Sequence, residues 1–461
     1  MIPSASLDSF ACVVGDVDGE ASSIADFDEL WSVAAPGTDF GAMGCNKYRK
    51  MSGPIEQYVI DCAQQTLIKH GIRPEAVDRV VFSMMDATLS LLGPNFVAEV
   101  LDSLGTVNCL PSVLSFQQCC SSISALTYCR QMLLDDDVEN VLSIALDFRI
   151  EDEERVRSFA LFGDAVTSCM VSRDSKRGMR LLSSCVGMDH DGMLGRDSFL
   201  SRQKVARETF GKALQEAGVQ AGDVVRVFPT NLFVPLTQFN AAAAGIQKPK
   251  LHFNETLAEF GHCGNCDWLM NLDDYRRSIG MEAGEVFVAL ATAPGFFACA
   301  VLSALSPRKG PELVVDDLTG PAIAEFLEEH IEEMKQVTPP GSKHALELDE
   351  LRRPEVTFWT LLDDDEVIAC GAIQRLDGDH GEIKSMRVAP SHRQRGVASA
   401  LLRHLLFEAR RGGLSRLSLE TGSFEFFEPA RRLYGSHGFE VCEPFGEYVP
   451  DPNSTFMTRQ L

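Results

Sequence analysis

Basic charge is scarce in this sequence: 42 Lys and Arg stand against 66 Asp and Glu in 461 residues, a formal net charge of −24. Nowhere do Lys and Arg gather around aromatic residues as a nucleic-acid groove requires. That balance excludes nucleic acid and other polyanions as partners, apart from a single phosphate group cradled by a local loop. Long apolar runs are missing too. The first run, residues 10–15, is far too short for a signal-peptide core or a membrane span, and no basic stretch precedes it. A cytoplasmic protein with no membrane partner is expected. The 14 cysteines are strewn through apolar segments of a large acidic chain, so buried thiols, one of them reactive, are expected rather than disulfides.

What the chain does have is apolar content, 45%, enough for real cores, and a length of roughly two to three domains. Up to about residue 305, helix-like and strand-like segments alternate and end in an apolar, strand-like run over 286–305, the pattern of buried α/β layers. Ser306-Pro307-Arg308-Lys309-Gly310-Pro311 interrupts the pattern and reads as a linker (306–311) between a domain over 1–305 and a smaller α/β domain over 312–461. One phrase recurs in the first domain: Leu67, Gly71, Arg79 and Val80 return 147 positions later as Leu214, Gly218, Arg226 and Val227. Each copy reads as a helix ended by glycine, a short turn and a buried strand. A duplicated half-domain explains the echo, although helix, glycine, turn and strand is also a common phrase in α/β proteins. In the second domain, residues 356–362, 366–374 and 382–388 predict three strands, followed by a helix over 397–411, a strand over 417–420 and a helix over 428–436.

Residues 113–126, VLSFQQCCSSISAL, pass from a short strand through small residues into a helix. A cysteine at that junction faces the positive end of a helix, which is expected to lower its pKa and make it a nucleophile. Further along, Phe260-Gly261-His262-Cys263-Gly264-Asn265-Cys266-Asp267 sets an imidazole five residues before a carboxylate. His262 can serve as base for the thiol and Asp267 can orient the ring. The same stretch also reads as a set of metal ligands, His262, Cys263, Cys266 and Asp267. The chain offers no second Cys-x-x-Cys and no spaced histidine pair nearby, so no metal is expected.

Residues 10–305 resemble the thiolase-fold enzymes of the ketoacyl-ACP synthase III type. The spacing from Cys119 through Leu126 to Val138-Glu139-Asn140-Val141-Leu142-Ser143-Ile144 follows that family's nucleophile-to-strand phrase, and Phe162-Gly163-Asp164-Ala165 is similar to its glycine–aspartate turn. The resemblance implies a duplicated thiolase-like αβαβα domain, a homodimer, and a nucleophile at Cys119 rather than Cys120. Condensing members carry a histidine where this chain has Thr230, in Phe228-Pro229-Thr230-Asn231, and an asparagine where it has His262. Decarboxylative condensation needs two neutral donors for the enolate, and only one is evident. Members that transfer acyl groups to a hydroxyl or amine use cysteine, histidine and aspartate, and Cys119, His262 and Asp267 fit that set. Ping-pong transfer is then expected: a thioester on CoA or acyl carrier protein acylates Cys119, with His262 as base and Asp267 holding its tautomer, and a small-molecule acceptor attacks. The oxyanion would sit between the N–H of Cys119 and that of Gly295, in Pro294-Gly295-Phe296. Two alternatives stay open. In one the domain condenses, with His262 and Asn231 or Thr230 supplying the donors; in the other it is a non-catalytic platform.

Residues 381–400, GEIKSMRVAPSHRQRGVASA, run from a strand through Arg393-Gln394-Arg395-Gly396-Val397-Ala398 into an amphipathic helix. Main-chain N–H groups of such a loop converge beside a helix start, a cradle for pyrophosphate in which glycine permits close approach. Residues 312–461 resemble the GNAT family of N-acetyltransferases, with Glu428-Pro429-Ala430-Arg431-Arg432-Leu433-Tyr434 through Gly438-Phe439 similar to its later helix-and-strand motif. The resemblance implies acetyl-CoA as donor. Main chain of Met386 and Val388 would pair with the pantetheine, and Arg393, Gln394, Arg395, Gly396, Val397, Ala398 and Ser399 would hold the pyrophosphate. Tyr434 takes the part of acid for the departing CoA thiolate. Glu420 is preferred to Glu382 as base for the amine, and residues 339–346, with His344, are expected to loop over the acceptor. The whole reads as a bifunctional acyltransferase of a specialised biosynthetic pathway.

Overall fold

In a computed structural model of the chain, residues 4–196, 198–305, 312–337, 348–363, 366–393 and 397–461 are described. They fall into two compact units that change over between residues 308 and 309, with the stretch 67–73 grouped with the second. The expected linker, 306–311, lies outside the described residues, as do 339–346 with His344.

The first unit is built on a nine-stranded sheet, in the order Leu110–Leu114, Arg79–Ser83, Asn140–Asp147, Ala165–Arg173, Ala5–Val14, Met179–Met188, Phe296–Ala304, Val286–Ala293, Val224–Phe228. Ala5–Val14 and Met179–Met188 meet antiparallel at the middle. Outward from that pair, each side repeats one succession of antiparallel, antiparallel and parallel pairings. The first side adds one more parallel strand, Leu110–Leu114, at its edge. The repeated phrase of the sequence occupies equivalent places in the two halves. Helices Ile55–His70 and Phe199–Ala217 end at Gly71 (φ +77°) and Gly218 (φ +70°), and each leads to the outer strand of the shared succession, Arg79–Ser83 or Val224–Phe228.

Strand periodicity divides the layers. Phe287, Ala289, Ala291, Ala298, Ala300 and Leu302 pack with helices Ser121–Met132 and Asp267–Ser278 in one core, whereas Val288, Leu290, Phe297, Cys299 and Val301 pack with Phe199–Ala217 and Val234–Ala244 in another. The run over 286–305, read as one strand-like segment, is a hairpin turned at Pro294-Gly295, where Gly295 takes φ +75°. The two central helices are each 12 residues long and are each entered through one 3₁₀ turn, Gln118–Cys120 or Gly264–Cys266. Ser121, Ser122, Ser124 and Ala125 are buried in the first of them, small side chains that let a helix be enclosed on several faces. All 14 cysteines are free thiols, 12 of them buried.

The Gly163-Asp164 turn is fixed by a buried ion pair: Arg155 Nη1 and Nη2 meet Asp164 Oδ1 and Oδ2 at 2.6 and 2.9 Å. Asp164 also accepts the main-chain N–H groups of Met51 and Arg149, each at 3.0 Å.

The second unit has a seven-stranded sheet in the order Glu312–Val315, Val356–Asp363, Glu366–Arg375, His380–Val388, Arg416–Gly422, Ser454–Gln460, Glu440–Cys442. Among the described residues its single parallel pair is His380–Val388 with Arg416–Gly422. Leu401, Leu402 and Leu405 of helix Val397–Arg411 pack with Leu417, Leu419 and Tyr434 on one side, while Phe326 and Leu327 of helix Pro321–Val337 pack with Phe358 and Cys370 on the other. The predicted strands and helices of this unit are present with ends shifted by a residue or two. Strands Glu312–Val315, Glu440–Cys442 and Ser454–Gln460 and helix Pro321–Val337 were not anticipated. Among the described residues no helix is long and apolar enough to cross a membrane.

Removing one member of a buried, hydrogen-bonded ion pair leaves the other charge uncompensated, at a cost of about 3–5 kcal/mol. Asp164→Ala should lower stability by that amount in chemical denaturation; a loss below about 1 kcal/mol would show that Asp164 does not hold the turn.

Candidate functional site

Between strand Leu110–Leu114 and helix Ser121–Met132 the chain turns through two non-glycine residues with left-handed backbone, Phe116 (φ +65°) and Gln118 (φ +51°). Such strain persists only where neighbours enforce it. Gln118 donates from Nε2 to Asp86 Oδ1 at 2.7 Å, and its carbonyl accepts Asn265 Nδ2 at 3.1 Å. Asn265 also accepts the N–H of Ser122 at 2.8 Å, and donates its own N–H and Nδ2 to Asp147 Oδ2 at 2.7 and 2.9 Å. Asp147 Oδ1 takes Met85 N and Thr88 Oγ1 at 2.9 and 2.7 Å. Burial pushes the Asp147 carboxyl up in spite of these four donors. The clamp sets the position of the next residue, Cys119.

Cys119 Sγ lies 3.4 Å from His262 Nε2, and His262 Nδ1 lies 2.6 Å from Asp267 Oδ2. Asp267 accepts two further N–H groups, from Cys263 at 2.7 Å and Asn231 at 2.8 Å. Cys119, His262 and Asp267 are 7%, 0% and 1% exposed. The imidazole is delivered by a close approach of two loops: His262 N donates to Leu161 O at 2.8 Å and Gly163 N to His262 O at 3.0 Å. A Cβ at Gly163 would stand 2.0 Å from Phe260 O, so only glycine fits there. A carboxylate only accepts, so the proton of the neutral ring sits on Nδ1 and the Nε2 lone pair faces the thiol. The N–H of Gly264 approaches the same Nδ1 at 3.3 Å, a longer contact than the one to Asp267.

The thiol is not acidified as its place at a helix start predicts. Complete burial, then the carboxylates of Asp147 and Asp267 and the Cys120 thiol, raise it well above the ordinary thiol range, and Arg149 pulls the other way. Desolvation outweighs the helix terminus, so the resting thiol is neutral, and His262 Nε2 is the base within reach of its proton. Cys120 turns into the core shared with the central helices and is fully buried. Around Cys119 the wall is apolar, with Met85, Ala160, Phe162 and Leu232 buried against it. The Phe162 ring is 4.7 Å from that of His262.

The other candidates of this unit separate from the triad. Cys263 donates to Phe260 O, and Cys266 to the carbonyls of Ala145 and Ala165, so these thiols point into the surrounding backbone and away from a shared centre with His262. Asn231 uses its side chain on Thr256 Oγ1 (3.1 Å) and Asn271 Nδ2 (2.9 Å), and only its main-chain N–H reaches Asp267. Thr230 Oγ1 accepts Thr292 N at 3.1 Å. Gly295 has Asp189 and Met193 as close neighbours, and a Cβ there would stand 2.4 Å from Met193 N, so the hairpin tip accounts for its glycine without an oxyanion. Asp147 and Asn265 escaped the sequence reading although Asn265 lies inside the quoted histidine motif.

In the second unit the parallel pair is hydrogen-bonded from His380–Arg416 to Ile383–Leu419, and residues 384–388 and 420–422 lie beyond that pairing. Ser385, beside the register shift against strand Glu366–Arg375, takes φ +51°. Tyr434 Oη lies 3.7 Å from Met386 Sδ. Burial and the charge of Glu420 push the phenol up to about 12, so it keeps its proton at neutral pH. Glu382 is buried and engaged by Tyr448 Oη at 2.7 Å and Lys384 Nζ at 2.8 Å, and the carboxylate whose charge acts on Tyr434 is that of Glu420. Ser399 Oγ lies 2.9 Å from His437 Nε2 and Arg393 Nε donates to Val388 O at 3.3 Å. Val397 and Ala398 open helix Val397–Arg411, while Gln394, Arg395 and Gly396 lie outside the described residues.

A model of the acetyltransferase (GNAT) family matches residues 323–439. The uncharacterized N-acetyltransferase YsnE of Bacillus subtilis (strain 168) is 53% identical over 147 residues, 32% of this chain and 97% of that protein. The IAA acetyltransferase of Azospirillum brasilense is 38% identical over 141 residues, 30% of this chain and 91% of that protein. Among solved structures, the acyltransferase ChlB3 aligns with TM-score 0.57 at 18% identity, over 66% of this chain and 99% of its own. OleA of Xanthomonas campestris, in a structure with bound lauric acid and lauroyl-CoA, aligns with TM-score 0.56 at 14% identity, over 66% and 100%. The 3-oxoacyl-(acyl-carrier-protein) synthase III of Aquifex aeolicus gives 0.53 at 17%, over 65% and 99%. At these identities the structural likeness is one of fold, the thiolase fold of the first unit.

Two outcomes follow from the protonation states. Iodoacetamide should label Cys119 more slowly than free cysteine at pH 8, at a rate still rising beyond pH 9 because the thiol lies above its ordinary range; a plateau near pH 7 would mean an acidic thiol. Tyr434→Phe should lower kcat for amine acetylation by about 10²-fold or more with little change in the KM for acetyl-CoA, and an unchanged kcat would remove the phenol from the reaction.

Proposed function

The chain belongs, through its second unit, to the GNAT acetyltransferase family, and from that premise we propose that this acyltransferase carries two transfer sites. The observation that carries the first is the continuous line from Cys119 through His262 to Asp267. A thioester on CoA or acyl carrier protein reaches Cys119 among its apolar neighbours. Cys119 Sγ attacks its carbonyl while its proton moves to Nε2, the carbon–sulfur bond to the carrier breaks, and the leaving thiolate takes that proton. A hydroxyl or amine of a small acceptor then attacks the acyl-cysteine with Nε2 again as base, and Asp267 stabilises the imidazolium formed in both steps. The N–H of Cys119 is assigned the oxyanion.

In the second unit an acetyl group passes from acetyl-CoA to a small amine. Main chain of Met386 and Val388 lies beyond the end of the parallel pairing, residues 393–399 hold the pyrophosphate, Glu420 draws the proton from the amine, and Tyr434 supplies one to the departing thiolate. Transfer is favoured over condensation by the engagement of Asn231, whose buried side chain donates to Thr256 Oγ1 and accepts from Asn271 Nδ2 and so is held in a network of its own. A homodimer is supported by the edge strand Leu110–Leu114, hydrogen-bonded on one side only, with Leu110 63% and nearby Phe116 71% exposed. The role assigned is successive acylation in a specialised biosynthetic pathway of the cytoplasm.

Peptide mass mapping after incubation with a panel of acyl-CoA and acyl-carrier-protein donors tests the covalent step. The expected result is an adduct on the Cys119 peptide that survives Cys120→Ala and disappears in Cys119→Ala. Free CoA appearing with amines while no donor labels that peptide would leave the second unit as the sole enzyme, and CO2 release from malonyl thioesters would restore condensation.

A further inference from the structure

Arg149 follows strand Asn140–Asp147, and its guanidinium carbon lies 4.2 Å above the Phe162 ring, one of the apolar groups packed around Cys119. Its Nη2 is 3.8 Å from Met85 Sδ, which is itself 3.8 Å from Cys119 Sγ. The cation is thus at most two van der Waals contacts from the nucleophile. A guanidinium has five N–H donors, and among the described residues the side chain of Arg149 has one oxygen partner, the carbonyl of Phe148 at 2.8 Å, and forms no ion pair. Nearby Arg155, by contrast, has both Asp152 and Asp164. Asp164 takes the main-chain N–H of Arg149 but directs both oxygens to the Arg155 guanidinium. In a chain with 66 acidic residues, a half-buried arginine without a carboxylate beside a neutral nucleophile calls for an anion from outside.

We propose that Arg149 selects an acyl group ending in a carboxylate, so that the donor to Cys119 is the thioester of a short dicarboxylic acid. The inference rests on the covalent reading of Cys119 given above. With the acyl carbon on Sγ, a chain of about four or five carbons, at roughly 1.5 Å per bond, spans the way past Met85 and places its terminal carboxylate in the fork of the guanidinium. The covalent step is unchanged: the Sγ–acyl bond forms, the CoA sulfur–acyl bond breaks, and the thiol proton passes through His262 to CoA. A fully apolar acyl chain would meet a guanidinium where it needs hydrocarbon.

The test compares glutaryl-CoA with pentanoyl-CoA, equal in chain length, by the rate at which each labels the Cys119 peptide in the full-length chain, in Arg149→Leu and in Arg149→Lys. The expected result is at least tenfold faster labelling by glutaryl-CoA in the wild type, inversion of the preference in Arg149→Leu, and partial retention in Arg149→Lys. Equal labelling by both thioesters, or an unaltered ratio in a folded Arg149→Leu, overturns the proposal while leaving covalent transfer intact. If only acceptors bearing a carboxylate lose rate in the variant, the cation reads the acceptor and the donor assignment is wrong. No labelling by any thioester overturns the covalent reading and this inference with it. Should Arg149→Leu fail to fold, the wild-type ratio and its change in Arg149→Lys still decide.

Discussion

A single buried carboxylate organises the first unit's site. Asp267 accepts N–H groups from Asn231, Cys263 and the imidazole of His262 while almost wholly withdrawn from water. A buried carboxylate is tolerable only when so supplied with donors, and here the donors come from two separate places in the chain, Asn231 and the adjacent His262 and Cys263. Each donor therefore pins its segment to the start of helix Asp267–Ser278, whose positive end also favours the charge. The ring orientation that turns Nε2 toward Cys119 is a consequence of that packing.

The duplication explains why the parts meet. The two central helices are equal in length, are entered alike, and lie in one core between the halves. Cys119 lies in the turn that enters one of them and Asp267 is the first residue of the other, so the two groups are brought together from the starts of the two central helices. The second unit arrives at its reactive groups differently. There a parallel pair stops pairing partway along, and beyond its end the buried phenol of Tyr434 meets Met386 and the charge of Glu420.

Residue patterns of short range were legible in the sequence. His262 and Asp267 sit five residues apart, Cys119 stands at a strand-to-helix junction, and strands 356–362, 366–374 and 382–388 announce themselves by apolar runs between acidic turns. Properties set by distant residues were not legible. The thiol was expected to be acidic from its helix start, but its surroundings include Asp147 and Asp267 and complete burial, all of them fixed by tertiary packing. The Asp147–Asn265 clamp joins residues 118 positions apart, and Glu382 is engaged by Tyr448 from 66 positions away. The run over 286–305 concealed a hairpin because its alternating small and large apolar residues suit two buried strands as well as one, and only Pro294-Gly295 marks the turn.

The central claim is that Asp267, through His262, makes a neutral buried thiol reactive. It is tested most directly by single-turnover release of CoA from an acyl-CoA substrate in the wild type and in Asp267→Asn, with folding of the variant checked by circular dichroism. The account predicts a burst of one CoA per Cys119 in the wild type, slowed by about 10³–10⁴-fold in the folded variant, because the amide can donate to Nδ1 and so stabilise the wrong tautomer. A burst of equal rate in the two proteins would contradict it.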